Sequence, residues 1–289
     1  MIPAVVRANA ELDSVLMPAH LASAPVALVP TMGALHEGHR ALMREARARA
    51  DVVVASVFVN PTQFAPGEDL ERYPRDLDAD LEVCAAEGVD IVFAPAVEEI
   101  YPEGTSGGIS VDPGELGMIL EGAARPTHFR GVLTVLTKLF ALVQPSQVFL
   151  GEKDYQQLAL VRAMVRDLCS TVEVVGVATV REPDGLAMSS RNRYLTAEQR
   201  VQAQGLFNAL RAGVQCANEG REAVLGAAER ELGSSDGVRG DYVALTDPRL
   251  GPAPTSGPAR LLLAAFVGST RLIDNIALEL GAESGSQAS

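Results

Sequence analysis

Lysine is almost absent from this chain of 289 residues. Lys138 and Lys153 are its only two, and all basic residues number 24 against 37 acids. The formal net charge of −13 argues against sequence-independent binding to nucleic acid or an anionic membrane, because both are polyanions. A small anion is still admissible where cationic groups and backbone N–H groups gather locally. Cysteine is scarce too. Cys84, Cys169 and Cys216 are odd in number, widely spaced and not in C-x-x-C form. That excludes a disulfide framework and a cysteine zinc site, and it predicts reduced thiols in a cytoplasmic protein. No apolar run approaches the ~20 residues that span a bilayer. The opening MIPAVVRANAELDSVL lacks a basic start followed by a long apolar run, so no signal peptide is expected. Histidine occurs four times, and two of the four stand in one stretch, PTMGALHEGHR at 30–40.

What is present is apolar: 47% of the residues are hydrophobic, and the length suits one large domain or two ordinary ones. The first half alternates strand-like and helix-like segments. VALV (26–29), VVVASVFV (52–59), DIVFAP (90–95), VFL (148–150) and VEVVGVATV (172–180) read as strands. Residues 37–50, 76–87, 131–143 and 156–168 read as helices. Strands that are apolar on both faces and separated by helices imply a parallel sheet covered on both sides. Right-handed crossovers make this a Rossmann-like, doubly wound α/β fold. The pattern changes near residue 180. Two helices are expected at 197–217 and 221–232, then antiparallel strands at 242–245, 260–267 and 270–278. A Rossmann-like domain over 1–180 and a smaller α+β domain over 181–289 follow, with GAESGSQAS as a disordered tail.

In an open parallel sheet, ligands sit beyond the carboxyl ends of the strands. PTMG lies at such an end, and a helix begins near His36–His39. A helix N-terminus presents free N–H groups and partial positive charge, which suits a phosphate. Gly33 and Gly38 allow close backbone approach. Positions i and i+3 share a helix face, so both imidazoles can address one anion. A zinc site ranks below this, because helical histidine pairs that bind zinc use i, i+4 spacing. Two solvated histidines at a plain helix start are the bland alternative.

The string His36-Glu37-Gly38-His39 resembles the H-x-G-H signature of the nucleotidyltransferase superfamily, which includes class I aminoacyl-tRNA synthetases. In its longer form, PTMGALHEGH resembles that of the pantothenate synthetases, the pantoate–β-alanine ligases. FVNPTQF (58–64), YPRDLDAD (73–80), RPTHFRGV (125–132), FLGEKDYQQ (149–157) and GLAMSSRNRYL (185–195) resemble further motifs of that family, in order, across most of residues 25–280. The resemblance implies ATP-dependent condensation of pantoate with β-alanine through a pantoyl adenylate, with release of pyrophosphate and AMP. It implies an ATP site over Pro30, Thr31, Met32, Gly33, His36 and His39, continued by Gly151, Lys153, Asp154, Val180, Met188, Ser189, Ser190 and Arg191. His39, His36, Lys153 and Arg191 are the catalytic candidates. Gln63, Gln157, Asn60 and Met32 are the candidates for pantoate and β-alanine. Mg²⁺ is expected with ATP, with Asp80 as its one named protein ligand, and a homodimer is expected. Arg125 and His128 stand near the site without an assigned role.

Three other readings compete. A tRNA synthetase fragment needs a basic surface, which an acidic chain does not supply. Another small H-x-G-H nucleotidyltransferase need not carry FVNPTQF or the two glutamines. A silent nucleotide-binding module gains nothing from keeping His39, Lys153 and Arg191 together.

Overall fold

The computed structural model describes residues 2–65, 67–68 and 70–281. All of the expected tail except Gly281 lies outside these. By compactness the chain divides into two units: residues 1–152 with 156–178, and residues 153–155 with 179–289.

The first unit holds a six-stranded sheet among the described residues. Its strands are β1 (Ala4–Val6), β2 (Val26–Thr31), β3 (Val52–Val57), β4 (Ile91–Phe93), β5 (Gln147–Gly151) and β6 (Glu173–Val177). They lie in the order β1-β4-β3-β2-β5-β6, and every neighbouring pair is parallel. The helices are α1 (Asn9–Leu21), α2 (Glu37–Arg47), α3 (Leu77–Ala86), α4 (Val97–Ile100), α5 (Glu121–Ala124), α6 (His128–Val143) and α7 (Tyr155–Asp167). Val26, Ala27, Leu28 and Val29 of β2 are all essentially sealed from solvent. A strand buried on both faces has no wet side to alternate with, which is why it reads as a continuous apolar run. α2 covers the sheet with Leu42, Met43 and Ala46, which pack with Val29, Val53 and Phe149 in one cluster.

The strand order fixes where a ligand belongs. From β2 the chain moves one way, to β3 and then β4. From β5 it moves the other way, to β6. β2 and β5 are therefore neighbours at a topological switch point, and the carboxyl ends of such strands flank the binding crevice of open α/β sheets.

The second unit contains α8 (Ala197–Gln215), α9 (Arg221–Ser234) and an antiparallel sheet of β7 (Val238–Thr246), β8 (Gly257–Val267) and β9 (Thr270–Leu280), in the order β7-β8-β9. Leu261, Leu263 and Ala265, alternate residues on one face of β8, share a buried cluster with Leu206 and Leu210 of α8 and Val224 and Ala228 of α9.

Most expected elements are present, with shifted ends. β7 starts earlier than expected, because its first residues, VRGD, are polar on a sheet edge. β6 ends at Val177 instead of 180, and α2 ends at Arg47 instead of 50. β1 and α1 have no counterpart among the expected elements. β1 is three residues long, and α1 contains Pro18 and buries only Leu12 and Leu16.

Candidate active site

Thr31 and Val57 are register partners at the ends of β2 and β3. The PTMG and FVNPTQF stretches therefore leave the sheet side by side. The Thr31 hydroxyl donates to Ser56 O (2.7 Å), and Gly33 N donates to the Thr31 oxygen (3.1 Å). The chain then passes through two left-handed residues, Gly33 (φ +79°) and Ala34 (φ +53°), before α2 begins. A Cβ on Gly33 would stand 2.7 Å from Asp80 Oδ2, so glycine is required there by conformation and by space.

Asp80 explains how this turn is held. Its Oδ2 accepts from Ala34 N (3.1 Å) and its Oδ1 from Leu35 N (2.8 Å). The residue is 3% exposed. The sequence suggested a Mg²⁺ ligand. The structure instead gives a buried carboxylate with both oxygens committed to the backbone of the loop that carries the histidines. Among the described residues no group of three or more His, Cys, Asp or Glu could hold a metal ion. The residues present do not form a Mg²⁺ cage. Asp76, in the same acidic segment, caps α3 by accepting from Ala79 N. One turn along α3 from Asp80, burial and the Asp80 charge push the Cys84 thiol up to about 12, so it stays protonated.

The two histidines cap α2 reciprocally. His36 is the N-cap residue with extended backbone, and its Nδ1 accepts from Gly38 N (3.1 Å). Three residues on, His39 Nδ1 accepts from His36 N (3.2 Å). The arrangement is a capping box built from imidazoles. The rings stand 4.1 Å apart, centroid to centroid. Because each Nδ1 accepts a hydrogen bond, the ring proton of each neutral imidazole belongs on Nε2. Both rings are only partly buried. The helix start thus carries two imidazole rings held in place by their Nδ1 caps. Both histidines are engaged through Nδ1 in capping α2, so neither is a plainly solvated side chain.

A second constellation forms around Asn60, Gln63 and Met32, three of the substrate candidates. Gln63 Oε1 accepts from Asn60 Nδ2 (3.2 Å), and Gln63 Nε2 lies 2.9 Å from Met32 Sδ. Asn60 is 1% exposed and its amide is fully engaged. Its Nδ2 also donates to Gly131 O, and its Oδ1 accepts from Thr62 N, from the Thr62 hydroxyl and from Tyr101 OH (2.9 Å). Asn60 therefore orients Gln63. Its expected part in the pantoate pocket would then be to shape it through Gln63. Burial pushes the Tyr101 hydroxyl above its usual pKa and keeps it a donor, outweighing the opposing hydrogen bonds. Tyr101 was missed in the sequence because it lies 41 residues from Asn60, outside every recognised motif.

Arg125 and His128 now acquire a place. Gln63 O accepts from Arg125 Nη2 (3.2 Å) and from His128 Nδ1 (2.9 Å). Arg125 is itself held by a two-pronged pair with Glu68 (2.8 and 2.6 Å). α6 comes close because Gly131 has no side chain: a Cβ there would meet Thr62 O at 2.4 Å. Of the paired glutamines, Gln156 is structural. Its amide accepts from Glu121 N and donates to Leu116 O and Ile119 O. Gln157 is half-buried in the first turn of α7.

The Arg125–Glu68 pair makes a pH prediction. Burial alone would raise the Glu68 carboxyl, but the hydrogen bond and charge of Arg125 outweigh it and hold the pKa below the usual 4.5. A depressed carboxylate contributes stability above its unfolded pKa and loses it as pH falls through the folded value. Glu68→Gln is therefore expected to cost on the order of 1 kcal/mol near neutral pH, and the gap to the unaltered chain should close as pH falls below that usual value. Denaturant titrations across that range check this. A gap that does not change with pH would contradict it.

In the second unit, Met188 N donates to Val180 O (3.0 Å), so two ATP-site candidates are joined in one short turn. Ser189 caps the 3-10 turn Ser190–Tyr194 by accepting from Arg191 N (3.2 Å). Lys153 Nζ lies 3.3 Å from Asp154 Oδ1.

A doubly wound parallel sheet with an H-x-G-H helix start at its switch point is the arrangement that the nucleotidyltransferase resemblance implied. Residues 4–277 match the family described as Pantoate-beta-alanine ligase. The chain belongs to that family and is a ligase. Its relatives include the pantothenate synthetase of Nocardia farcinica (strain IFM 10152), 58% identical over 89% of this chain and 80% of that protein. That of Mycolicibacterium smegmatis (strain ATCC 700084 / mc(2)155) is 55% identical over 97% and 89%. Among solved structures, a pantothenate synthetase from Thermus thermophilus superposes with a TM-score of 0.88 at 48% identity, covering 94% of this chain and 98% of that one. The pantoate-beta-alanine ligase from Francisella tularensis, complexed with beta-gamma ATP and beta-alanine, gives 0.79 at 34% identity over 95% and 97%.

Proposed function

We propose that this chain condenses pantoate with β-alanine in two steps driven by ATP. In the first, a carboxylate oxygen of pantoate attacks the α-phosphorus. The bond from that phosphorus to the bridging oxygen of the β-phosphate breaks, and pyrophosphate leaves. In the second, the amine of β-alanine attacks the acyl carbon of pantoyl adenylate. The bond from carbon to the phosphate oxygen breaks, AMP leaves, and the new amide nitrogen loses a proton. Neither step needs a protein nucleophile, so the residues act by positioning and by stabilising charge.

The observation that carries this reading is the reciprocal histidine cap. It places the Nε2–H groups of His36 and His39 at the N-terminal, partly positive end of α2, a combination suited to phosphoryl oxygens. Pro30, Thr31, Met32, Gly33 and Gly151 would border the nucleotide, with Val180 and Met188 toward the base. Asp154 would accept from ribose hydroxyls, and Lys153 would bring a point charge to the phosphates. Ser189, Ser190 and Arg191 would receive the leaving pyrophosphate. Gln63, with Met32 beside it, and Gln157 would hold pantoate, because an amide can donate to a carboxylate and accept from a hydroxyl. Mg²⁺ would arrive on the phosphates of ATP, and no step above is assigned to it. A cytoplasmic homodimer belongs to the same reading. No helix among the described residues is long and apolar enough to cross a membrane.

The test is an assay with ATP, Mg²⁺, pantoate and β-alanine. AMP and pantothenate should appear in equal amounts. AMP formed from ATP and pantoate, with no pantothenate after β-alanine is added, would refute the second step. Arg191 supplies a sharper check. If it meets charge that grows on the leaving pyrophosphate, Arg191→Ala should slow single-turnover adenylate formation with little change in ATP affinity. The second step, started from pre-formed pantoyl adenylate, should be nearly untouched. Lost ATP affinity with an unchanged single-turnover rate would make Arg191 a ground-state binding residue instead.

A further inference from the structure

Lys153, Asp154 and Tyr155 follow β5 in sequence, yet they fold with the second unit. Polar groups hold them there. Asn275 Nδ2 donates to Lys153 O (2.8 Å), Tyr155 OH donates to Pro248 O (2.9 Å), and the Arg260 guanidinium lies 3.9 Å from the centre of the Tyr155 ring. Arg260 and Leu262 are alternate residues of β8, and Leu262 pairs with Asn275 on β9, so all three share one face of the sheet. The opposite face, with Leu261 and Leu263, packs against α8 and α9. The face that receives Lys153–Tyr155 is thus not a plain apolar one. Asn275 is 3% exposed and Arg260 is 6% exposed.

The amide of Asn275 has only one workable orientation. Arg260 Nε donates to its Oδ1 at 2.7 Å, which leaves Nδ2 for the Lys153 carbonyl. The neighbouring backbone is fixed as well. Asp274 Oδ1 accepts from Asn275 N (2.7 Å), and the Arg181 guanidinium grips both Asp274 oxygens (2.6 and 2.9 Å). Burying an arginine and an asparagine costs free energy unless their groups are paired, and here the pairing ends on the main chain of a residue proposed to act on phosphates.

We propose that Asn275, oriented by Arg260, is a positioning residue that sets the place of the Lys153 ammonium by holding its backbone carbonyl. The inference rests on the proposed role of Lys153. A misplacement of about 1 Å can cost on the order of 10²-fold in rate, so loss of this hydrogen bond should slow adenylate formation by about 10- to 100-fold.

Asn275→Asp tests it. The carboxylate keeps a partner for Arg260 but turns an oxygen toward Lys153 O, while Asn275→Ala removes the donor with no new charge. Each is measured alone and in a Lys153→Ala background. If Asn275 acts through Lys153, neither substitution slows the Lys153→Ala enzyme further. If the losses multiply, Asn275 is merely structural and the proposal falls. A second readout does not depend on activity. Methylating amines with a carbon-13 label marks just two lysines, Lys138 and Lys153, besides the chain terminus. The NMR signal that disappears in Lys153→Arg belongs to Lys153. Asn275→Ala, which adds no charge, should move the chemical shift of that signal and leave the Lys138 signal where it was. An unmoved Lys153 signal would overturn the proposal. A moved signal in a chain whose Lys153→Ala variant keeps its full rate would uphold the positioning and refute the catalytic role of Lys153.

Discussion

His39→Asn is expected to slow formation of the acyl adenylate by about 10²- to 10³-fold, the usual effect of removing one donor aimed at developing charge. Its melting temperature should stay close to that of the unaltered chain. The two outcomes separate because the ring does two jobs with two nitrogens. Nδ1 accepts from His36 N and completes the cap of α2. An asparagine oxygen can stand near the place of Nδ1 and keep that bond. Nothing in asparagine reaches where Nε2 was. His39→Ala removes both functions and should add the cost of a lost cap, about 0.5–2 kcal/mol. Stopped-flow measurement of pyrophosphate release, beside thermal melting, reads both quantities. A folded His39→Asn chain with near-normal release would show that the imidazole is only a cap.

The second large effect concerns Asp80. Asp80→Asn keeps the shape of the side chain but replaces one acceptor oxygen by a donor. Either Ala34 N or Leu35 N then loses its partner and faces an N–H group. Leaving one buried donor unsatisfied costs about 1–3 kcal/mol. The disturbance falls on the turn through Gly33 and Ala34, where Ala34 already holds a left-handed backbone. The histidines follow directly, so the rate of adenylation should drop on the order of 10- to 100-fold. The magnesium reading of Asp80 foresees a different outcome, because raising Mg²⁺ would restore a weakened metal ligand. With Asp80 as the anchor of the loop, no concentration of Mg²⁺ restores the rate. Recovery at high Mg²⁺ would return Asp80 to the metal.

These two residues mark the division between what local sequence carries and what it does not. β2, β3 and β5 were legible because strands buried on both faces leave unbroken apolar runs, and their spacing by helices implied the parallel order. The start of α2 was legible from Gly33, Gly38 and the two histidines. The partner of the loop was not: Asp80 lies 46 residues beyond Ala34, and nothing in an acidic helix turn distinguishes an anchor from a solvated face or a metal ligand. Asn60 illustrates the same limit. Its motif marked it as a site residue, but only the fold shows that Gly131 and Tyr101 take up the rest of its amide. The grouping of Lys153–Tyr155 with the second unit depends on partners 93 to 122 residues away. No pattern within the GEKD stretch encodes them.

The central claim is that the carboxylate of pantoate attacks phosphorus, so the bond to be traced is the one from carboxylate oxygen to phosphorus. Pantoate labelled with oxygen-18 in both carboxylate oxygens, incubated with the enzyme, ATP and β-alanine, should yield AMP carrying one labelled oxygen on its phosphate. Pyrophosphate should carry none, and pantothenate should keep the other label in its amide carbonyl. Unlabelled AMP, or label in pyrophosphate or inorganic phosphate, would contradict the adenylate route.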